Sequence, residues 1–213
     1  MTNRVFRLCT AAVGAASLVV LPGCTANTRN DSASSYLIVD SFLAASGVKP
    51  DTFGGTLASD VLTYVKKDVG GVQVLVPTVF EDSAQVTLRL GMKDPGTATT
   101  PTSPSSANYI TLTQYHVNFL RSDGRNTPGV DVPYPFDGAV TVTVGASTAV
   151  AAMTLVRLQA KSESPLKALA GGNGSFAIST VAEVTFYGRD QAGREVSVVA
   201  RISVNFADWG DPS

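Results

Sequence analysis

The feature that most constrains this chain is a two-residue alternation of apolar and polar side chains that recurs from Tyr36 almost to the C-terminus. It is cleanest at Ala84, Val86, Leu88, Leu90 and Met92, which alternate with Gln85, Thr87, Arg89, Gly91 and Lys93. A period of two places one set on a buried sheet face and the other on a wetted face, a separation that helical spacing cannot produce. The same pattern returns at the end of the chain, where Val196, Val198, Ala200, Ile202, Val204 and Phe206 all face one way.

Taken in order, the alternation predicts strands over 36–43, 57–67, 72–76, 84–93, 110–121, 140–144, 149–160, 179–188 and 195–206. Asp68-Val69-Gly70-Gly71 supplies a permissive turn, so the segments on either side of it read as a hairpin. Ala149 to Ala160 is apolar on both faces, as expected of a central strand covered on both sides or of a strand near a sheet crossing. Ser164 to Gly171 carries an N-cap, a first-turn proline and a closing glycine, and is the one short helix expected after the N-terminal region. Asp94 to Asn108 holds three prolines and no large apolar side chain, and reads as a long loop. A second turn-rich stretch runs from Ser122 to Gly138. About nine strands with one short helix imply an all-β chain folded as an antiparallel two-sheet β-sandwich, one domain spanning 36–213.

The N-terminal region has a different character. Arg4 and Arg7 precede an apolar run from Leu8 to Leu21, and Leu21-Pro22-Gly23-Cys24 follows. The order of basic start, apolar core and small residues is that of an export signal, and its core is too short to span a bilayer. Leu21 to Cys24 resembles the lipobox of bacterial lipoproteins, which implies removal of residues 1–23, a covalent lipid on Cys24, and a membrane partner through that anchor. Pro22 departs from the motif, where Ala or Ser is usual. Thr25 to Ser35 is polar and aperiodic, as expected of a tether. Thr25, rather than Asp, after the cysteine accords with outer-membrane sorting. With Cys9 in the signal and Cys24 lipidated, no thiol remains for a disulfide, a zinc site or a nucleophile.

The closing segment EVTFYGRDQAGREVSVVARISVNF resembles the last hairpin of immunoglobulin-like and fibronectin-type-III-like domains of bacterial envelope proteins. With SGVKPDTFGG and DGRNTPGVDVPYPFDG, it also resembles a group of bacterial lipoproteins that have no assigned activity. The resemblance implies a sandwich at the cell envelope and no particular chemistry. The cysteine and tryptophan marks of antibody domains are missing.

Catalytic motifs are missing from the sequence too. There is no G-x-S-x-G, H-E-x-x-H, P-loop or G-x-G-x-x-G, and the single histidine, His116, falls on the polar side of a strand. The chain has 16 basic and 17 acidic residues without a basic cluster, which disfavours nucleic acid as a partner. A non-enzymatic envelope protein with a structural or protein-interaction role is therefore expected. The alternative is a calcium-assisted small-ligand or carbohydrate-binding module. Asp123, Asn126, Asp131 and Asp137 of the second turn-rich stretch offer hard oxygen ligands suited to calcium, although Asp and Asn also serve there as turn formers. Tyr134, Phe136 and Trp209 offer stacking surface for a glycan or peptide if exposed, and core plugs if not.

Overall fold

A computed structural model describes residues 33–172 and 174–210. Cys24, the proposed signal and most of the tether lie outside the described residues.

The described residues form ten strands, eight of them in an all-β sandwich. They are β1 (Ser35–Ala45), β2 (Thr56–Asp60), β3 (Thr63–Val69), β4 (Val72–Thr78), β5 (Asp82–Met92), β6 (Ile110–Leu120), β7 (Phe136–Val144), β8 (Ala149–Val156), β9 (Ile178–Asp190) and β10 (Glu195–Ala207). One layer has the order β1-β5-β8 and the other β2-β10-β9-β6-β7. β3 and β4 form a separate two-stranded hairpin outside both layers. A five-residue helix, α1 (Leu158–Ser162), follows β8, and 3-10 turns cover Ser106–Asn108 and Leu166–Leu169.

The alternation explains the layers. Along β5, Ala84, Val86, Leu88 and Leu90 are buried while Arg89 is exposed, and along β10 Val196, Ala200, Ile202, Val204 and Phe206 point inward. β9 and β10 pair over twelve positions from Glu195↔Arg189 to Phe206↔Ile178. Asp190 closes their turn by accepting from the backbone N–H groups of Ala192 at 2.9 Å and Arg194 at 2.8 Å. Aromatic rings fill the space between layers: Phe119 and Phe206 meet edge-on at 5.5 Å. The Tyr115 hydroxyl reaches from β6 to the Thr154 carbonyl of β8 at 3.2 Å.

Four expectations are corrected. The segment 57–67 is two strands, because the chain turns away at Val61 and Leu62; β2 stays in the five-stranded layer and β3 leaves it. β2 pairs with β10 in parallel, so the sandwich is not wholly antiparallel. β8 ends at Val156 and lies at the edge of its layer, not its centre, and the rest of its apolar run is α1. The helix expected at 164–171 is a 3-10 turn after a cis Ser164–Pro165 bond, and the five-residue α-helix precedes it.

The layout fixes two poles. Chain entry is at one: Ser35 pairs with Met92, its hydroxyl donates to the Asn108 carbonyl at 2.8 Å, and the β9–β10 turn lies near the same end, with Ile110 opposite Asp190. At the other pole β1 ends with Ala45 opposite Ser83, beside the base of the β3–β4 hairpin. Eleven residues of β1 separate the poles by about 33 Å.

Phe206 is fully buried, so Phe206→Ala should cost ~3–5 kcal/mol. Urea unfolding should show this as a lower midpoint with an unchanged slope.

Candidate functional site

The β3–β4 hairpin stands at the pole away from chain entry, and its geometry follows from a few residues. Gly70 and Gly71 both have positive φ, 64° and 86°, the conformation that a two-residue type I′ turn requires. Asp68 supports the turn, its carboxylate accepting from the Gly71 N–H at 2.9 Å. At the base, Thr63 is buried and donates to Asp60 Oδ2 at 2.6 Å.

Residues directly opposite in an antiparallel pair share a face. The register Val65↔Val76, Lys67↔Val74 and Val69↔Val72 therefore puts five valines and one lysine on a single face. Val69 and Val72 are 57% and 63% exposed, and Val65 and Val74 of the same face are exposed beside them. The reverse face carries Tyr64, Lys66, Asp68, Gln73, Leu75 and Pro77. Isolated two-stranded hairpins are marginal in water, so this one is held by its base, and its aliphatic face is paired with neither layer.

Beside the hairpin base lies a cavity of about 350 Å³ lined by Ala44, Val48, Lys49, Leu57, Asp60 and Trp209 among others. Trp209, the only tryptophan, is 36% exposed at its rim, and its backbone N–H donates to Asp60 Oδ1 at 3.1 Å. Burial pushes the Asp60 carboxyl pKa up, against the lowering effect of its hydrogen bonds from Thr63 and Trp209.

The other residues anticipated from sequence are placed as follows. Asp123 is clasped by two guanidinium groups, Arg121 Nη2 at 2.6 Å and Arg125 Nη2 at 2.9 Å. The hydrogen bond from Arg121, with the contribution of Arg125, holds its carboxyl far below the ordinary carboxylate value. Asn126 Oδ1 accepts from the Arg121 backbone N–H at 2.6 Å, and Asp131 Oδ2 from the Thr127 N–H at 3.2 Å. Asp137 is not in this loop but on β7, facing His116 with Oδ1 2.8 Å from Nδ1. Among the described residues no group of three or more His, Cys, Asp or Glu is gathered to hold a metal. Asp123 is thus an ion-pair partner, Asn126 and Asp131 accept from backbone N–H groups of nearby residues, and Asp137 lies apart from them on β7.

Tyr134 is half exposed and lays its ring against Gly129 of the same loop. Phe136 is buried beneath the Arg157 guanidinium, 4.3 Å from its ring centroid, with Tyr115 edge-on at 6.3 Å. Of the three aromatics, Trp209 borders the 350 Å³ cavity.

The sequence did not single out the pair Lys161–Asp82. Lys161 Nζ lies 2.8 Å from Asp82 Oδ1, and both side chains are 0% exposed. Seventy-nine residues separate them. The available signal was a lone lysine at the end of the apolar run Ala149 to Ala160, where a solvated cation is out of place.

Compared with protein-family models, with curated proteins and with solved structures, the chain matches none. Among the described residues no helix is long and apolar enough to cross a membrane.

The Asp123 clasp carries a pH dependence of definite sign. Because the folded pKa is depressed below the unfolded value of 3.8, the stabilisation is fully present above that value and is lost as pH falls toward the folded pKa. Urea midpoints of the wild type and Asp123→Asn should differ at pH 6 and converge as the pH is taken down toward 2. A difference independent of pH would refute the clasp.

Proposed function

We propose that this chain is an exported lipoprotein, anchored through Cys24 on the periplasmic or surface face of an outer membrane, and that it acts without catalysis by presenting the β3–β4 hairpin to a protein partner. One observation carries the interaction role: five valines share one face of a hairpin that belongs to neither layer of the sandwich. Exposed aliphatic surface of this kind marks contact sites rather than folded surface.

Position supports the same conclusion. The described chain enters at the opposite pole, so a tether there directs the hairpin away from the lipid. The hairpin edges disfavour strand addition. Pro77 removes a donor from β4, and Lys66 and Asp68 charge β3. Docking is thus through the face, and Lys67 within it selects an aliphatic partner surface that carries a carboxylate.

Two measurements test this. Cys24→Ala should move the protein from the membrane to the soluble fraction; retention in the membrane overturns the anchor. A photocrosslinker at Val69 should capture a protein in intact envelopes. Val72→Ser with Val74→Ser should weaken that capture at least tenfold, since each buried valine is worth about 1.5 kcal/mol, and Lys67→Glu should weaken it as well. Crosslinks to lipid alone, or a protein band indifferent to these changes, overturn the hairpin as the contact site.

The second reading, a small-ligand module for carbohydrate, finds its support at Trp209 rather than in the 121–137 loop, because that ring borders the 350 Å³ cavity. With one tryptophan in the chain, its fluorescence reports on this site alone. A glycan panel that leaves the emission unchanged removes the reading.

A further inference from the structure

Asp82, the first residue of β5, sits at the base of the hairpin where both layers and α1 converge. Its carboxylate receives Lys161 Nζ and the Gly47 N–H on Oδ1, each at 2.8 Å, and the Ser59 hydroxyl on Oδ2 at 2.6 Å. Ser59 is on β2 of the five-stranded layer, Lys161 is in α1, and Gly47 follows β1. The close approach at Gly47 needs a residue without a side chain, since a Cβ there would stand 2.1 Å from the Glu81 carbonyl oxygen. Ser59, Asp82 and Lys161 are all buried.

Water is therefore excluded from an amine and a carboxyl held in contact. Burying an ion pair is costly, because both charges lose their hydration. Burial pulls the Lys161 pKa down, opposed by the negative charges of Asp82 and Asp60. Proton transfer within the pair gives a neutral amine beside a carboxylic acid, two groups that can condense. Fixed geometry of this kind replaces an external activating reagent with high effective concentration.

We propose that Lys161 and Asp82 form an intramolecular amide bond in the folded protein, with release of one water. In the proposed step the Lys161 Nζ lone pair attacks Asp82 Cγ. The charge that develops on Oδ1 is met by the Gly47 N–H, as a backbone donor meets an oxyanion. Oδ2 already holds the carboxylic proton and takes a second from the attacking nitrogen, with the Ser59 hydroxyl placed to relay it. The C–Oδ2 bond then breaks, water leaves, and the carbonyl reforms at Oδ1. The ammonium and carboxylate together contain all the atoms of an amide and a water, so no oxidant, reductant or co-reactant enters. Ser59 is a positioning and relay residue; Lys161 and Asp82 are the reacting ones.

The product would replace two buried charges with a neutral amide and close a covalent loop between residues 79 apart. Nothing in this step depends on the anchor or on the hairpin's partner.

Mass spectrometry tests it on the full chain purified from its native fraction. Proteolysis should yield one branched peptide joining the Asp82 and Lys161 segments, lighter by one water than the two separate peptides. The intact-mass difference between the wild type and Lys161→Met should equal the substitution plus one water, whatever processing occurs at the N-terminus. Ser59→Ala should retain the fold and slow formation of the branched peptide after refolding. Dehydration at Asp123-Gly124 or Asp137-Gly138 gives the same mass change but no branched peptide, and it survives Lys161→Met. Folded wild type that yields only separate Asp82 and Lys161 peptides, even after prolonged incubation, overturns the proposal.

Discussion

The Asp82 carboxylate is the point at which the separate parts of this molecule are tied together. The three-stranded layer supplies the carboxylate, the five-stranded layer supplies the Ser59 hydroxyl, the segment after β1 supplies the Gly47 N–H, and α1 supplies Lys161. Hydrophobic packing between layers is largely non-directional and tolerates small slips. A buried carboxylate with three donors tolerates none, because any shift leaves a charge or a donor unmet in a medium where that is costly. The hub thus fixes how the two layers meet at the pole from which the hairpin projects.

That pole concentrates the unusual chemistry of the chain. The buried acids Asp60 and Asp82, the buried Lys161 and the half-exposed Trp209 all gather there. The opposite pole holds turns and the long loop after β5, whose polar groups largely bond within their own segment, such as Gly96 to Asp94 and Thr100 to Thr97. The Asp82 hub ties the elements together at one end of the sandwich, and the other receives the described chain.

The fold was legible wherever one face of a strand is wet. β5, β6 and β10 announce themselves because burial on one side and solvent on the other write a period of two into the residues. The β3–β4 turn was legible because two successive glycines are needed at positive φ. Where the local pattern carries two meanings, the sequence misled. Ala149 to Ala160 is mostly apolar on both faces, yet its first part is an edge strand with Val150 exposed and its end enters α1. Thr56 to Val69 is one extended run in sequence but parts into two sheets. The direction of a chain at Val61 depends on Ala207, whose carbonyl takes the Val61 N–H at 3.0 Å. The hub was invisible for the same reason. Its members lie at 47, 59, 82 and 161, and no spacing rule links them. For the aspartates of the 122–138 stretch, residue type alone leaves both an oxygen-ligand and a turn-forming reading open. Their partners are Arg121 and Arg125 for Asp123, the Thr127 N–H for Asp131 and His116 for Asp137.

The parallel pairing of β2 with β10 has a consequence for the order of events in the life of the chain. Thr56 lies against Ser203, and β10 also pairs with β9 along nearly its whole length, so the last strand occupies the interior of the larger layer. Until that strand is available, β2 has no neighbour and β9 is an open edge. Long-range pairings of this kind are slow to form, because loop entropy is lost before the contacts are gained. The larger layer consequently cannot close before β10 is in place. β10 enters between β2 and β9, so a single strand completes both neighbours at once.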